Sequence, residues 1–247
     1  MKKINLGFTN ESFQDGKLFI QKKKYNNFNH KIDYSILNKL DFVPKLVENS
    51  QEWLKYEFIE SQEFIFDEET LKEVARNLKT LHDSKLKFPK TNHAARIKEY
   101  RKVLKDKNIH IEVLNKYYKR INNILAHAEN NRPLHNDLFK VNILKDKKGK
   151  LWFIDWEYAS MGDKHFDLAY FITSNSLSED QEKIFLDEYD SYWEEYLWQH
   201  KILIYYLVIL WINVQDQKPF DDKPFYDLVE KTVQTYEFKK KNNLFRN

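Results

Sequence analysis

The sequence predicts an α+β fold in which a small β-rich N-terminal lobe precedes a larger, mainly helical C-terminal lobe. Three observations carry this prediction. Short apolar runs and strand-like alternation dominate up to about residue 60, and apolar residues at helical spacing dominate after it. A single strand–turn–strand unit, Val141 to Ile154, interrupts the helical part. No repeat and no Pro/Gly-rich linker divides the chain further, so the expected lobes are 1–60 and 61–247, with a short hinge near Phe58 to Gln62.

Taken in order, Leu18-Phe19-Ile20-Gln21 is a short apolar strand, and Gly16 before it suits a hairpin turn. Lys31 to Leu40 places Ile32, Ile36, Leu37 and Leu40 at helical spacing, and Trp53 to Ile59 alternates as a strand. Asp67-Glu68-Glu69 then opens an amphipathic helix carrying Leu71, Val74, Ala75, Leu78 and Leu81, with acids where the helix dipole favours them. Helices are also expected over Ala94–Leu104, Ile111–Ala126, Ser178–Leu197 and Lys201–Val214. The strands Val141–Leu144 and Leu151–Ile154 flank a lysine-rich turn with Gly149 in it.

The composition excludes several function classes. With 42% apolar and 32% charged residues in 247, the chain can bury a sizeable core. It has no cysteine, which rules out disulfides and thiolate metal sites. A formal charge of only +3, with acids and bases interleaved, leaves no basic stripe for nucleic acid; Lys22–Lys24 and Lys239–Lys241 read as solvated faces. The first residues show no apolar signal region, and the longest apolar run, Ile202 to Ile212, is eleven residues, short for a bilayer. The expectation is a cytoplasmic protein without a transmembrane segment.

The chemistry is concentrated in Leu134 to Asp155. His135-Asn136-Asp137 is followed, after four residues, by Asn142, the spacing of the kinase catalytic loop H-R-D-x-x-x-x-N. A second acid, Asp155, ends the apolar strand Leu151–Ile154, where a kinase places a metal-binding Asp. In-line phosphoryl transfer needs a carboxylate to take the hydroxyl proton and hard oxygen ligands for Mg²⁺. Asp137 is the candidate base, and Asn142 and Asp155 are the candidate metal ligands.

Residues 133–169 resemble the choline/ethanolamine kinase branch of the aminoglycoside-phosphotransferase-like kinases. The shared blocks are H-N-D-L-x-x-x-N-I-L, then I-D-W-E-Y (Ile154 to Tyr158), then F-D-L-A (Phe166 to Ala169). Leu81-His82 and the stretch Leu210 to Gln215, with Phe220 and Phe225-Tyr226, agree, so the resemblance covers nearly the whole chain. It implies a protein-kinase-like two-lobed fold, ATP and Mg²⁺ as cofactors, and a small amino alcohol as substrate, choline first.

Residue by residue, the resemblance makes Asp167 the acid that brace the catalytic loop, or simply a helix-starting Asp, and His135 a loop-holding residue. Glu157 is read either as a water-mediated metal contact or as a turn cap. Gly7 to Phe13 is similar to the family's phosphate loop, giving Thr9 and Asn10 to the nucleotide. Lys22, with Lys23 as its competitor, is the phosphate-contacting cation, and Asp33 its acidic partner. Phe58-Ile59-Glu60 is the hinge whose backbone reads adenine. Tyr158, Trp211 and Tyr226 are cage positions for the ammonium group, or core. Two departures, Val208 for a Trp and Thr173 for a Glu, thin that cage and open ethanolamine, thiamine or an aminoglycoside as alternatives. The rivals are an aminoglycoside phosphotransferase, disfavoured by I-D-W-E-Y, and a catalytically silent kinase-like binding module, disfavoured by the intact Asp137, Asn142 and Asp155.

Overall fold

The computed structural model describes residues 1–4 and 10–246. An antiparallel five-stranded sheet is built from β1 (Lys2–Ile4), β2 (Glu11–Asp15), β3 (Leu18–Lys22), β4 (Leu46–Asn49) and β5 (Trp53–Glu57), in the order β1-β2-β3-β5-β4. Gly16, at φ +57°, makes the turn between β2 and β3, a conformation that costs glycine little. Register sets Phe19 opposite Tyr56 and Gln21 opposite Leu54, so these four share one face, while Lys22 and Trp53 share the other. The helical spacing at 31–40 becomes a 3₁₀ helix, Tyr34–Lys39, capped by Asp33, whose carboxylate accepts from the Ser35 N–H (3.0 Å) and hydroxyl (2.8 Å).

After β5 the chain changes sheet. β6 (Ser61–Gln62) precedes α1 (Glu68–Asp83), α2 (His93–Asp106), α3 (Glu112–His127) and β7 (Arg132–Leu134). Then come β8 (Ile143–Asp146), β9 (Leu151–Phe153), β10 (Ser160–Gly162) and the helices α4 (Lys164–Ser174), α5 (Glu179–Tyr189), α6 (Glu194–Val214) and α7 (Lys223–Lys241). Sheets β6-β8-β9 and β10-β7 are both antiparallel. The predicted apolar face of α1 is wholly buried at Leu71, Val74, Ala75, Leu78 and Leu81, and Asp67 caps it by accepting from the Thr70 N–H at 2.8 Å. Each fully buried Leu there stabilises the fold by roughly 1.5–3 kcal/mol.

Two helices escaped the sequence reading, and one was divided wrongly. The single helix expected over Ser178–Leu197 breaks at Asp190, which takes φ +67°, and the Trp193 N–H leaves the helical ladder to donate to His165 Nε2 at 2.9 Å. Its second half joins Lys201–Val214 to form α6. α6 is long and apolar enough to cross a membrane by length and composition, yet most of it is buried in the protein, packed among α2, α3, α4 and α7. α4 is buried on nearly every side, so it shows no one-sided periodicity, and the buried stripe of α7 (Val229, Thr232, Val233, Tyr236) is half polar.

Two backbone bonds hold the β8–β9 hairpin and the segment after it to the N-terminal residues: the Phe153 N–H donates to the Phe42 carbonyl and the His30 N–H to the Glu157 carbonyl, both at 2.7 Å.

Candidate active site

The loop after β7 is held in an uncommon conformation. Asn136 at φ +66° and Asp155 at φ +62° are both in the left-handed region, which non-glycine residues enter at a cost. Asp167, in the first turn of α4, supplies the compensation. Its fully buried carboxylate accepts from the His135 N–H (2.8 Å), the Asn136 N–H (2.7 Å) and His82 Nε2 (3.1 Å). Burial pushes its pKa up, but His82, His135 and the N–H donors outweigh this and hold it below the usual carboxylate range. Asn136 Nδ2 donates to the Tyr158 carbonyl (2.9 Å) and to Ser160 Oγ (2.8 Å). His135 Nε2 faces the Ile154 carbonyl at 2.9 Å, so that nitrogen carries the proton, while Nδ1 accepts from the Asp137 N–H at 3.3 Å. Burial pushes the His135 pKa down to about 4, leaving the ring a neutral strut between loop and strand.

Asp137 is enclosed. Tyr170 donates its hydroxyl proton to Oδ1, and Asn142 Nδ2 donates to the Asp137 carbonyl (2.8 Å) and Oδ2 (3.3 Å). Burial pushes the Asp137 pKa up to about 7 and Glu157 adds to this, against the opposing effects of Tyr170, Arg96 and Asn142. A carboxylate poised near neutrality suits a general base. Burial raises Asp155 well above the usual range, and Glu157 and Asp137 add to it; Gln21 Nε2, 3.3 Å from Oδ1, opposes. Among the described residues no three His, Cys, Asp or Glu side chains are grouped to hold a metal by themselves. Mg²⁺ needs only one or two protein oxygens when phosphates and waters complete its shell, and Asn142 and Asp155 offer hard oxygens of that kind. The donor set therefore fits the ion.

Glu157 faces the N-terminal segment. Its Oε2 takes Asn10 Nδ2 (3.0 Å), Asn29 Nδ2 (2.9 Å) and His30 Nε2 (3.1 Å). Asn10 Oδ1 accepts the Lys24 N–H at 3.0 Å, so Asn10 ties β2 to the hairpin. Thr9 lies outside the described residues.

A cavity of about 380 Å³ lies between the five-stranded sheet and the hairpin, lined among others by Gln21, Tyr56, Phe58, Ile59, Asn142 and Asp155. Three of the residues expected on the nucleotide side lie away from this cavity. Lys22 sits on the far face of β3 with its ammonium 5.8 Å from the Trp53 ring centroid, because strand alternation turns Gln21 inward instead. Lys23 is drawn to Asn49 Oδ1 and the Ser50 carbonyl, both at 2.7 Å. Asp33 caps the 3₁₀ helix and pairs with no lysine. Of the hinge residues, Phe58 and Ile59 line the cavity, and the Glu60 side chain points outward to Lys147, at 2.6 Å, without bearing on the backbone role expected of it.

A second cavity, about 450 Å³, is lined by Phe28, Glu99, Tyr100, Tyr158, Trp211 and Gln215, together with other residues. Two of the three cage candidates thus share one pocket. Tyr226 does not line it, because its hydroxyl donates to Asp222 Oδ2 (2.5 Å), which also accepts from Asn213 Nδ2 (2.6 Å). Thr173 turns back on its own helix, donating to the Ala169 carbonyl at 2.7 Å. Tyr170, Tyr100, Arg96 and His30 are not singled out by the sequence, and Gln21 is there only as a strand residue. Only Tyr170 had a local signal, standing three residues after Asp167 and so on the same face of a helix.

Comparison with known proteins agrees with this geometry. The family model described as Choline/ethanolamine kinase matches residues 19–237. A Metamycoplasma hominis protein named "Protein LicA homolog" is 46% identical over 243 residues, covering 96% of this chain and 97% of its own. A second protein of that name, from Mycoplasma capricolum subsp. capricolum, is 43% identical over 219 residues, 89% of this chain and 92% of its own. The crystal structure of choline kinase LicA from Streptococcus pneumoniae superposes with a TM-score of 0.74 at 19% identity, covering 96% of this chain and 94% of that one. The protein-kinase-like α+β fold is the one these proteins share, and the chain belongs to the choline/ethanolamine kinase family.

Proposed function

We propose that the chain is an ATP- and Mg²⁺-dependent kinase that phosphorylates the hydroxyl of an amino alcohol, with choline the first candidate and ethanolamine, thiamine or an aminoglycoside the alternatives. One observation carries this reading. Asp137 is bonded to Asn142, which lines the cavity under the sheet, and is electrostatically coupled to Arg96, which lies on the Tyr158 ring of the second, aromatic cavity. The base thus stands where a nucleotide and an alcohol would meet.

In this reading residues 1–60 hold the nucleotide, with Phe58 and Ile59 beside the adenine and Asn10 on the phosphate side, tied to Glu157 and the Lys24 N–H. Residues 61–247 supply catalysis and the acceptor pocket. The acceptor oxygen attacks the γ-phosphorus, its proton passes to an Asp137 oxygen, and ADP leaves with the bridging oxygen. Mg²⁺, when bound, neutralises charge on the phosphate oxygens. With its pKa pushed up to about 7 by burial, Asp137 is suited both to accept that proton and to release it afterwards. Tyr170 and Asn142 fix the carboxylate's orientation. Tyr158 and Trp211 offer π-faces to an ammonium group, each worth roughly 0.5–2 kcal/mol. A cytoplasmic location is part of the same reading.

The test is ATP consumption with Mg²⁺ against choline, ethanolamine, thiamine and kanamycin. Choline-dependent turnover is expected. Turnover with a different member would move the acceptor, and silence across the panel would remove the amino-alcohol reading.

A further inference from the structure

Arg96, in the first turns of α2, has surroundings unlike those of the other arginines. Its guanidinium carbon lies 4.7 Å from the Tyr158 ring centroid and 5.4 Å from that of Tyr100. Its Nε donates to the Tyr100 hydroxyl at 3.0 Å, and its two Nη groups make no hydrogen bond among the described residues. No carboxylate among the described residues comes within ion-pair distance of it, whereas Arg76, Arg120, Arg132 and Arg246 each reach one; Arg101 also lacks one and lies over the Tyr118 ring, but its Nη groups donate to the Leu114 carbonyl, the Tyr206 hydroxyl and Asn115 Oδ1. Guanidinium stays charged at any pH a protein survives. A permanent cation is thus stacked on the rings that would hold a cationic acceptor.

We propose that Arg96 is a resident cation that sets acceptor specificity: it occupies the aromatic position an acceptor's ammonium needs, and a cationic acceptor binds as Arg96 swings off Tyr158. The proposal rests on the amino-alcohol reading for its natural ligand, though not for its test. Two cations cannot share one ring face in a confined pocket without strong repulsion. The structure offers the displaced side chain a place to go. Glu99 lines the cavity that Tyr100 and Tyr158 also line, three residues further along α2 and one helical turn away, and among the described residues it accepts from Asn27 Nδ2 alone, at 2.9 and 3.1 Å. An i,i+3 Arg–Glu pair is a favourable helix contact. Acceptor binding would exchange a cation–π contact for this ion pair, and an alcohol without positive charge would gain nothing from the exchange.

The probe is tetramethylammonium, titrated calorimetrically, alongside choline and ATP kinetics. Arg96→Gln keeps a donor for the Tyr100 hydroxyl and removes the charge. It is expected to bind tetramethylammonium about tenfold more tightly than wild type and to lower the choline KM similarly, with the ATP KM changed less than about twofold. Arg96→Lys keeps a cation and should stay near wild type. Glu99→Gln, which weakens the landing site, should raise the choline KM about threefold while leaving the ATP KM alone. Unchanged or weaker tetramethylammonium binding by folded Arg96→Gln overturns the proposal. If Arg96→Gln does not fold, Glu99→Gln decides, and an unchanged choline KM there overturns it. Tighter tetramethylammonium binding without turnover of any amino alcohol would keep Arg96's role and remove the substrate reading. Choline turnover with tetramethylammonium binding unaffected by Arg96→Gln would do the reverse.

Discussion

The loop carrying Asp137 and the cavity carrying Tyr158 and Trp211 adjoin each other, yet they are built on opposite plans. In the loop, the N–H groups of His135, Asn136 and Asp137 all have an assigned acceptor, two of them on the single carboxylate of Asp167. That saturation holds Asn136 in the left-handed region and fixes the backbone that carries the Asp137 carboxylate. In the cavity, the rings of Phe28, Tyr100, Tyr158 and Trp211 alternate with polar side chains, the Tyr158 hydroxyl has a long bond to Asn26 (3.3 Å), and Arg96 stacks on two of the lining tyrosines. A group that must place a proton within a fraction of an ångström is locked by hydrogen bonds. A surface that recognises a cation works through non-directional contacts and tolerates exchange of its residues.

Substitutions can break or sharpen this contrast. The largest effect is expected from Asp137→Asn, which should lower kcat about a thousandfold while ATP still protects the protein in a thermal-shift assay. Retained turnover would take the base role from Asp137.

Next comes Tyr170→Phe, read through pH. Asp137 works as a base only when ionised, so with a pKa of about 7 the acceptor kcat/KM should fall about tenfold per pH unit below that value and level off above it. Tyr170's donated bond stabilises the carboxylate, so its loss raises the pKa and should shift the profile to higher pH. A profile that drops in height without shifting would make Tyr170 a packing residue only.

The smallest effect is expected from Trp211→Ala in the tolerant cavity: a choline KM raised roughly three- to thirtyfold, with kcat and the ATP KM nearly unchanged. An unchanged choline KM would return Trp211 to the core, and a collapse of kcat would mean that the cavity is as rigidly specified as the loop.

Much of the loop was legible in the chain. His135, Asp137, Asn142 and Asp155 fall within 21 residues, and a turn between two short strands is enough to bring them together. Asp167 was read as a brace or as a helix-starting Asp; its three donors give it the brace's contacts, while Asp163 caps α4. The choice between Lys22 and Lys23 could not be settled in sequence, because strand register decides which face a residue takes. One step along β3 puts Gln21 inside and Lys22 outside. Glu157 shows the same limit: its side chain meets Asn10, Asn29 and His30, all more than 120 residues away.

By itself, then, the sequence marked most of the helices through local periodicity, caps and turns, though not α4 and α7, and it gathered His135, Asp137, Asn142 and Asp155 at a spacing short enough for one hairpin to bring together. Tertiary structure decided which side chains surround that chemistry. The packing of α2 against α6 places Arg96 and Tyr100 from one helix beside Tyr158 and Trp211 from distant parts of the chain. Contacts of that kind depend on helix orientation and strand register, which are set by burial over the whole core and leave no local pattern at the residues they bring together.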